Sequence, residues 1–453
     1  MATSAMNCQK PRRGLAWDVT VVPMTSLVGH AVSTSDRESG ARYYAGVYPA
    51  NFVAARGSRV WDQDGNEFID FFCGAGALNL GHNDPRLKGV LLDYLAGDGL
   101  THALDLETPA REAFRGAVDR LLRRHDLNFR FLSPGPTGAN AVEAALKIAR
   151  RATGRSGVLA FTGAFHGMTL GALGVTSSRF ARVGAGTALH DVTFIPYPGA
   201  DTPWSEHSLD YLVDVLDDTH SGVALPAAII IESVQAEGGV NPAPLEWLRG
   251  LAQVCAERDI LLISDDIQVG CGRTGDFFSM DAAGVTPDIV VMAKGVSGLG
   301  QPISLVLYRH DLDVLEPGQH NGTFRGNQLA FVTAAANLDL LDDPQLRAGV
   351  LTRSEYLTCS LAGQLSRLGV DAPVRGRGLI IGVDLRAFGR DLGSRVVQGC
   401  LKRGVIVEAA GRHDTVVKML PPFNVDVADI DRAVTAFGAA LESELATSAA
   451  SGF

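Results

Sequence analysis

Five short apolar runs punctuate the middle of the chain: Val158–Phe161, Ala227–Ile231, Ile260–Ile263, Ile289–Met292 and Ser304–Leu307. They are too short for helices and lack the polar alternation of a half-exposed strand. Strands apolar on both faces belong to parallel sheets covered by helices on each side. Because these runs alternate with stretches of helical character, the sequence predicts an α/β fold with a mostly parallel sheet.

Two of the runs end in charge. Ile260–Ile263 leads into Asp265 and Asp266, and Ile289–Met292 leads into Lys294, followed by Gly295, Gly298 and Gly300. A charge left at the end of a buried strand costs several kcal/mol unless it is paired or used. In open parallel sheets the carboxyl ends of the strands are where ligands sit. Lys294 follows Asp265 by about one βα unit, which delivers an amine and an acid to one rim. That pair suits pyridoxal phosphate (PLP), whose aldehyde takes a lysine and whose ring nitrogen takes an acid. Of the six lysines (10, 88, 147, 294, 402 and 418), only Lys294 follows a buried strand and precedes a run of glycines. Desolvation there would lower its pKa and favour the neutral amine. Asp265 taken alone also reads as a helix cap.

Other rim candidates are weaker singly. Ser133-Pro134-Gly135-Pro136-Thr137-Gly138 opens into a segment where Val142, Ala145, Leu146 and Ala149 repeat at helical spacing. A helix beginning in such a loop offers free N–H groups to an anion, although the same residues also serve simply to turn the chain. Phe165 and His166 follow the first apolar run; an aromatic there can stack on a planar cofactor. Glu232 and Glu237 follow the second run; one of them can face the substrate, although a solvated loop is the default reading for both. Thr323 offers a hydroxyl to a phosphate, and Arg325 a bidentate fork to a carboxylate.

The order of elements gives a domain scheme. Residues 1–36 read as an arm, 37–75 as the first part of a smaller domain with a hairpin at Asp64-Gly65, and 76–340 as the large domain. Helices are expected from Pro85 to Leu95, from Ala110 to His125 and from Asn337 to Leu368. Short strands (Leu379–Asp384, Gly404–Glu408 and Val416–Leu420) place the rest of the smaller domain in 341–445, with a tail over 446–453. The 453 residues, 46% apolar and 20% charged, suit a large globular core. A net charge of −10 argues against nucleic-acid or anionic-membrane binding. Six scattered cysteines with no C-x-x-C pattern fit free thiols in a reducing cytoplasm, with no metal site.

Taken together these residues resemble the class III (ω-)aminotransferases, PLP enzymes of fold type I, over roughly 40 to 440. The segment Asp265-Asp266-Ile267-Gln268-Val269-Gly270-Cys271-Gly272-Arg273-Thr274-Gly275 is similar to the family's D-E-V-Q-x-G-x-G-R-T-G. The resemblance implies a seven-stranded-type large domain plus a smaller α+β domain. It makes Lys294 and Asp265 the catalytic pair, with Asp265 at the ring nitrogen. Ile267 and Phe165 take the two ring faces, His166 lies beside them, and Gln268 approaches the phenolic oxygen. Gly138 and Ala139 serve the phosphate, and Thr323 reaches it from a neighbouring subunit, which implies a homodimer (with pairing into tetramers open) sharing two sites. Glu232, Glu237, Arg325 and Lys418 are the substrate-binding candidates.

Within that family the stretches SPGPTGANAVEAALKIAR, AFHGMTLGALGVTS and PGQHNGTFRGNQLAFVTA are similar to the branch that makes diaminobutyrate. By that likeness Lys418 stands where many relatives carry an arginine for the carboxylate, and Glu237 matches the gating acid. The implied reaction moves an amino group from L-glutamate to L-aspartate 4-semialdehyde. Leu299 and Gln301 depart from the branch's usual S-K-S-I-S-G-Y-G-L-P and leave a different amino acceptor, or an aminomutase, as alternatives.

Overall fold

The computed structural model describes residues 38–186, 189, 191–199 and 207–450, with side chains up to 447. Contacts divide the chain after Asn51. The described part of the first unit holds one short helix, Tyr44–Val47, with the rings of Tyr44 and Tyr48 stacked at 6.5 Å. The arm expected over 1–36 lies outside the described residues.

The second unit begins with β1 (Phe52–Arg56), β2 (Arg59–Asp62) and β3 (Glu67–Asp70), an antiparallel meander. Its second turn is the hairpin expected at Asp64-Gly65: the Asp62 carboxylate accepts the N–H groups of Asp64 and Asn66 at 3.0 and 2.8 Å. Next come helices α1 (Pro85–Ala96) and α2 (Pro109–Arg124), strand β4 (Phe129–Leu132) and helix α3 (Gly138–Thr153). Asp84 and Thr108 cap the first two helices, each with a proline in the first turn. There follow β5 (Val158–Phe161), β6 (Val192–Ile195), β7 (Ala228–Ile231), β8 (Leu261–Asp265), β9 (Ile289–Met292) and β10 (Leu305–Arg309).

These strands form a seven-stranded sheet in the order β4-β10-β9-β8-β7-β5-β6. Strands β9, β8, β7, β5 and β6 are mutually parallel, whereas β10 runs antiparallel to both β9 and β4. The two-residue period sorts their side chains. Ala160, Ile230, Ile263 and Val291 pack with Ala141, Val142, Ala145 and Ile148 of α3. Their neighbours Leu159, Phe161, Ile229, Ile231 and Leu262 pack with Trp247, Leu248 and Leu251 of the helix Leu245–Glu257. Both faces are apolar because both are covered, as the unbroken runs implied. The sequence reading missed β4 and β6, the two edge strands. Their side chains are mostly only partly buried, so their hydrophobic signal is weak.

The C-terminal part contains α4 (Gln328–Leu341), α5 (Pro344–Leu368), β11 (Val374–Arg377), β12 (Ile380–Asp384), β13 (Val405–Ile406), β14 (Glu408–Ala410) and β15 (Val416–Met419). The single helix expected over 337–368 is two helices. Asp343 breaks it by accepting from the N–H groups of Gln345 and Leu346, with Pro344 opening the second. Strands β11-β12-β15-β14 form an antiparallel sheet. Strand β13 instead pairs in parallel with β3, so the early meander and the late strands share hydrogen bonds. The tail expected from 446 is the end of a helix, Val427–Ala450.

Candidate active site

Parallel strands bring their carboxyl ends to the same rim, and four of them carry the predicted residues there. Asp265 is the last residue of β8, Lys294 lies just beyond β9, Glu232 directly follows β7, and Phe165 and His166 occupy the loop after β5. The first turn of α3 adds Gly138 and Ala139. Together with Ile267, Gln268, Glu237 and Gln301 they enclose a cavity of about 320 Å³.

Strand alternation separates the two acids of the motif. Asp265 faces the cavity, where its Oδ2 meets His166 Nδ1 at 2.6 Å and its Oδ1 accepts the Ile267 N–H at 3.0 Å. Asp266 does not line the cavity; Ser264 Oγ and the Oγ and N–H of Ser279 donate to it. Burial alone would lower the His166 pKa, but the hydrogen bond and charge of Asp265 leave it raised above the ordinary imidazole value. Glu232 is also buried, and burial pushes its carboxyl up to about 7. Its two oxygens accept the backbone N–H groups of Phe165 and Ala236 at 3.1 and 3.0 Å. Glu232 therefore ties the aromatic loop to the segment that carries Glu237.

Lys294 sits at φ +43°, a left-handed conformation that costs a non-glycine residue energy. Gly295 follows it, where an added Cβ would lie 2.5 Å from Asn79 Nδ2. The lysine is half-buried where it lines the cavity, and desolvation holds its pKa below the ordinary lysine value. Across the cavity, an added Cβ at Gly138 would lie 2.8 Å from Cδ1 of Ile267. A larger residue there would push on the side chain that forms part of the wall.

Lys418 has a different environment. Its Nζ is completely buried and lies 2.7 Å from Glu237 Oε1, 2.9 Å from Glu408 Oε2 and 3.3 Å from Gln268 Oε1. Burial opposes its charge, yet the two carboxylates outweigh burial and raise its pKa. Glu237 is about a third exposed; desolvation opposes its charge, but Lys418 and Lys294 hold its pKa below the ordinary value. Gln268 joins the group, its Nε2 donating to Glu237 Oε1 at 3.2 Å and to the Ala75 carbonyl at 3.1 Å.

Not every predicted residue reaches this cavity. Lys418 lies behind Glu237 and is not part of the wall. Thr323 is exposed, away from the wall, and its carbonyl accepts from His102 Nε2 at 2.6 Å. Arg325 does not line the cavity; its guanidinium donates from Nε to the Ser133 carbonyl and from Nη1 to the His320 carbonyl. Of the two departures beside the lysine, Gln301 lines the cavity, whereas Leu299 packs into the core around α2 and α4.

Two residues that matter were not singled out from the sequence. Glu408 was read only as the end of a strand, although its register opposite Lys418 in the small sheet makes the two a cross-strand pair. Arg273, inside the long motif, is fully buried, and its pKa falls to about 10 through desolvation. It donates to the carbonyls of Leu379 and Pro421 and to Asn79 Oδ1 at 2.7 Å, and lies over the Phe423 ring at 4.7 Å. It thereby fastens the rim of the large sheet to the chain that brackets β12 and β15.

This chain belongs to the class-III aminotransferases: the family's profile matches residues 42–441. It is 47% identical over 417 residues to the diaminobutyrate–2-oxoglutarate transaminase of Nocardia farcinica, covering 90% of this chain and 93% of that one. It is 46% identical to the enzyme of the same name from Streptomyces avermitilis, covering 87% and 93%. Among solved structures, the ornithine aminotransferase of Toxoplasma gondii superposes with a TM-score of 0.77 at 28% identity, covering 89% of this chain and 92% of that chain. A PLP-bound amine transaminase from an uncultivated Pseudomonas species gives 0.78 at 26% identity, covering 90% and 97%. These likenesses bear out the PLP fold type I expectation. Among the described residues no helix is long and apolar enough to cross a membrane.

Proposed function

We propose that the chain is a PLP-dependent transaminase that moves an amino group from L-glutamate to the aldehyde of L-aspartate 4-semialdehyde, giving L-2,4-diaminobutyrate and 2-oxoglutarate. The observation that carries this reading is the meeting of Lys294 and Asp265 on one cavity, in a chain nearly half identical to enzymes named for that reaction.

The donor set fits the cofactor. A half-buried amine of lowered pKa and a carboxylate oriented by a histidine line a cavity that also opens onto the first turn of a helix. When bound, PLP supplies an aldehyde and an electron-withdrawing ring. Asp265 would hold the ring nitrogen, with His166 fixing the orientation of its carboxylate. Phe165 and Ile267 would take the ring faces, and Gln268 the phenolic oxygen. Gly138 and Ala139 would offer N–H groups to the phosphate. Lys294, whose charged form desolvation disfavours, takes the proton from the substrate's reacting carbon and returns one, acting as base and then acid. Glu237 covers Lys418 when the reacting carbon bears no carboxylate. When glutamate enters, Glu237 withdraws and the ammonium receives the carboxylate; lysine offers it a point charge without the fork of an arginine.

The active unit in this reading is a homodimer in which Thr323 of one copy serves the phosphate of the other. Support comes from the exposed apolar residues Leu100, Leu106 and Phe324, which lie near Thr323 in the fold or the chain. Residues 37–75 and 341–445 act as the smaller domain, and the enzyme works in the cytoplasm on small amino and oxo acids. Purified enzyme given PLP, glutamate and the semialdehyde is expected to release 2-oxoglutarate and diaminobutyrate, scored by mass. Release of neither would overturn the reading.

A second reading keeps the chemistry and changes the acceptor; its support is Gln301 in the cavity wall. A panel of aldehydes separates the two, and product formed without any second amino donor would indicate an aminomutase.

A further inference from the structure

The Lys418 ammonium meets three partners: it donates hydrogen bonds to Glu237 and Gln268 and makes an ion-pair contact with Glu408 Oε2 at 2.9 Å. Two of these, Glu237 and Gln268, belong to the cavity wall. The third, Glu408, does not reach the wall and is only 4% exposed. Its place is set by the backbone, since Glu408 and Lys418 face each other across β14 and β15. Displacing Glu237 therefore uncovers an ammonium that already has a carboxylate partner.

That partner matters to charge. With Glu408 ionised, a substrate carboxylate approaches a lysine whose charge is already offset, and it also meets the displaced charge of Glu237. A donor whose reacting carbon carries no carboxylate leaves Glu237 in place and meets none of this. We propose that Glu408 is a specificity-determining residue: by pairing with Lys418 from outside the cavity wall it weakens the site for carboxylate-bearing reacting carbons and favours terminal amines and aldehydes. This rests on the reading of Lys418 as the carboxylate's cation in the transaminase proposed above.

The resting geometry supports it. Burial and the charge of Glu237 leave the Glu408 pKa raised above the ordinary carboxylate value, and Lys418 at 2.9 Å opposes that rise, so its ionisation is tied to the lysine. The amide of glutamine has the same shape and accepts a hydrogen bond from Nζ without the charge.

The test compares the two half-reactions of the PLP-loaded enzyme, with L-glutamate and with L-2,4-diaminobutyrate, in wild type and Glu408→Gln. The KM for glutamate is expected to fall roughly tenfold, the scale of one nearby unit charge in a partly screened interior, while that for diaminobutyrate stays unchanged. Binding of glutarate, a non-reacting dicarboxylate, should tighten in parallel when measured by calorimetry. Glu408→Met removes the charge without an amide and should shift the ratio in the same direction; Glu408→Asp keeps the charge and should keep the wild-type ratio. Both KM values moving together, neither moving, or Asp behaving like Gln would overturn the inference. Failure of the wild-type enzyme to convert glutamate at all would instead overturn the functional reading on which it stands.

Discussion

Two lysines, Lys418 fully buried and Lys294 partly exposed where it lines the cavity, are pushed in opposite directions by their surroundings. At the rim of the large sheet, Lys294 has no carboxylate in ion-pair contact among the described side chains, and desolvation lowers its pKa. In the small antiparallel sheet, Lys418 touches two carboxylates, and its pKa rises. Desolvation acts on both, so the difference in direction comes from the neighbours. A desolvated amine without a paired acid becomes a base and nucleophile, whereas one flanked by two acids becomes a fixed cation.

The largest expected effect follows from the first environment. Lys294→Ala should lower turnover by at least about 10³-fold, since the residue is both the attachment point and the proton carrier. The visible absorbance of the lysine-bound cofactor should disappear with it. A mutant that keeps both would end the distinction between the two lysines, because Lys294 would then have no chemical role.

Next in size is stability. Lys418→Met leaves Glu237 and Glu408 without their shared cation and should cost about 3 kcal/mol, read by urea denaturation of the cofactor-free protein. Lys294→Met removes a lone desolvated amine and should leave stability unchanged or raise it. Equal losses in the two variants would show that the ion pairs of Lys418 add nothing beyond packing.

A direct comparison of reactivity is smaller but sharper. In cofactor-free protein at mildly alkaline pH, an acylating reagent should modify Lys294 at least about tenfold faster than Lys418, since each pKa unit between them is a factor of ten in neutral amine. Peptide mass mapping over time measures the ratio. Faster labelling of Lys418 would reverse the assignment of base and fixed cation.

These two environments were not equally legible in the sequence. The large sheet announced itself through unbroken apolar runs, and the charges that ended them, Asp265 and Lys294, stood out because such runs tolerate charge poorly. Strand alternation alone could have told Asp265 from Asp266, since successive side chains point to opposite faces. The small sheet gave less. Lys418 was noticed only through likeness to relatives, and Glu408 not at all, because a cross-strand pair depends on register, which short strands separated by a turn leave open. The surroundings of Arg325 were hidden for a related reason: an arginine in a loop has five donors, and nothing in the sequence tells whether carbonyls such as those of Ser133 and His320 will take some of them. Arg273 was hidden within a motif whose chemistry drew attention to its neighbours.

The finest distinction within the Lys418 cluster is between its charged and neutral acceptors. Gln268 holds Nζ at 3.3 Å, longer than either carboxylate, and also donates to Glu237 and to the Ala75 carbonyl. Gln268→Leu keeps both carboxylates on the lysine and removes only hydrogen bonds in which the amide itself carries no charge. It should cost about 2 kcal/mol of stability in cofactor-free protein, the scale of a hydrogen bond to a charged partner, against the larger loss for Lys418→Met. That ranking follows if the two acids fix the cation and the amide merely completes its shell. A loss as large as that of Lys418→Met would mean that the amide positions Glu237, and that the fixed cation depends on a three-part network in which no single charge dominates.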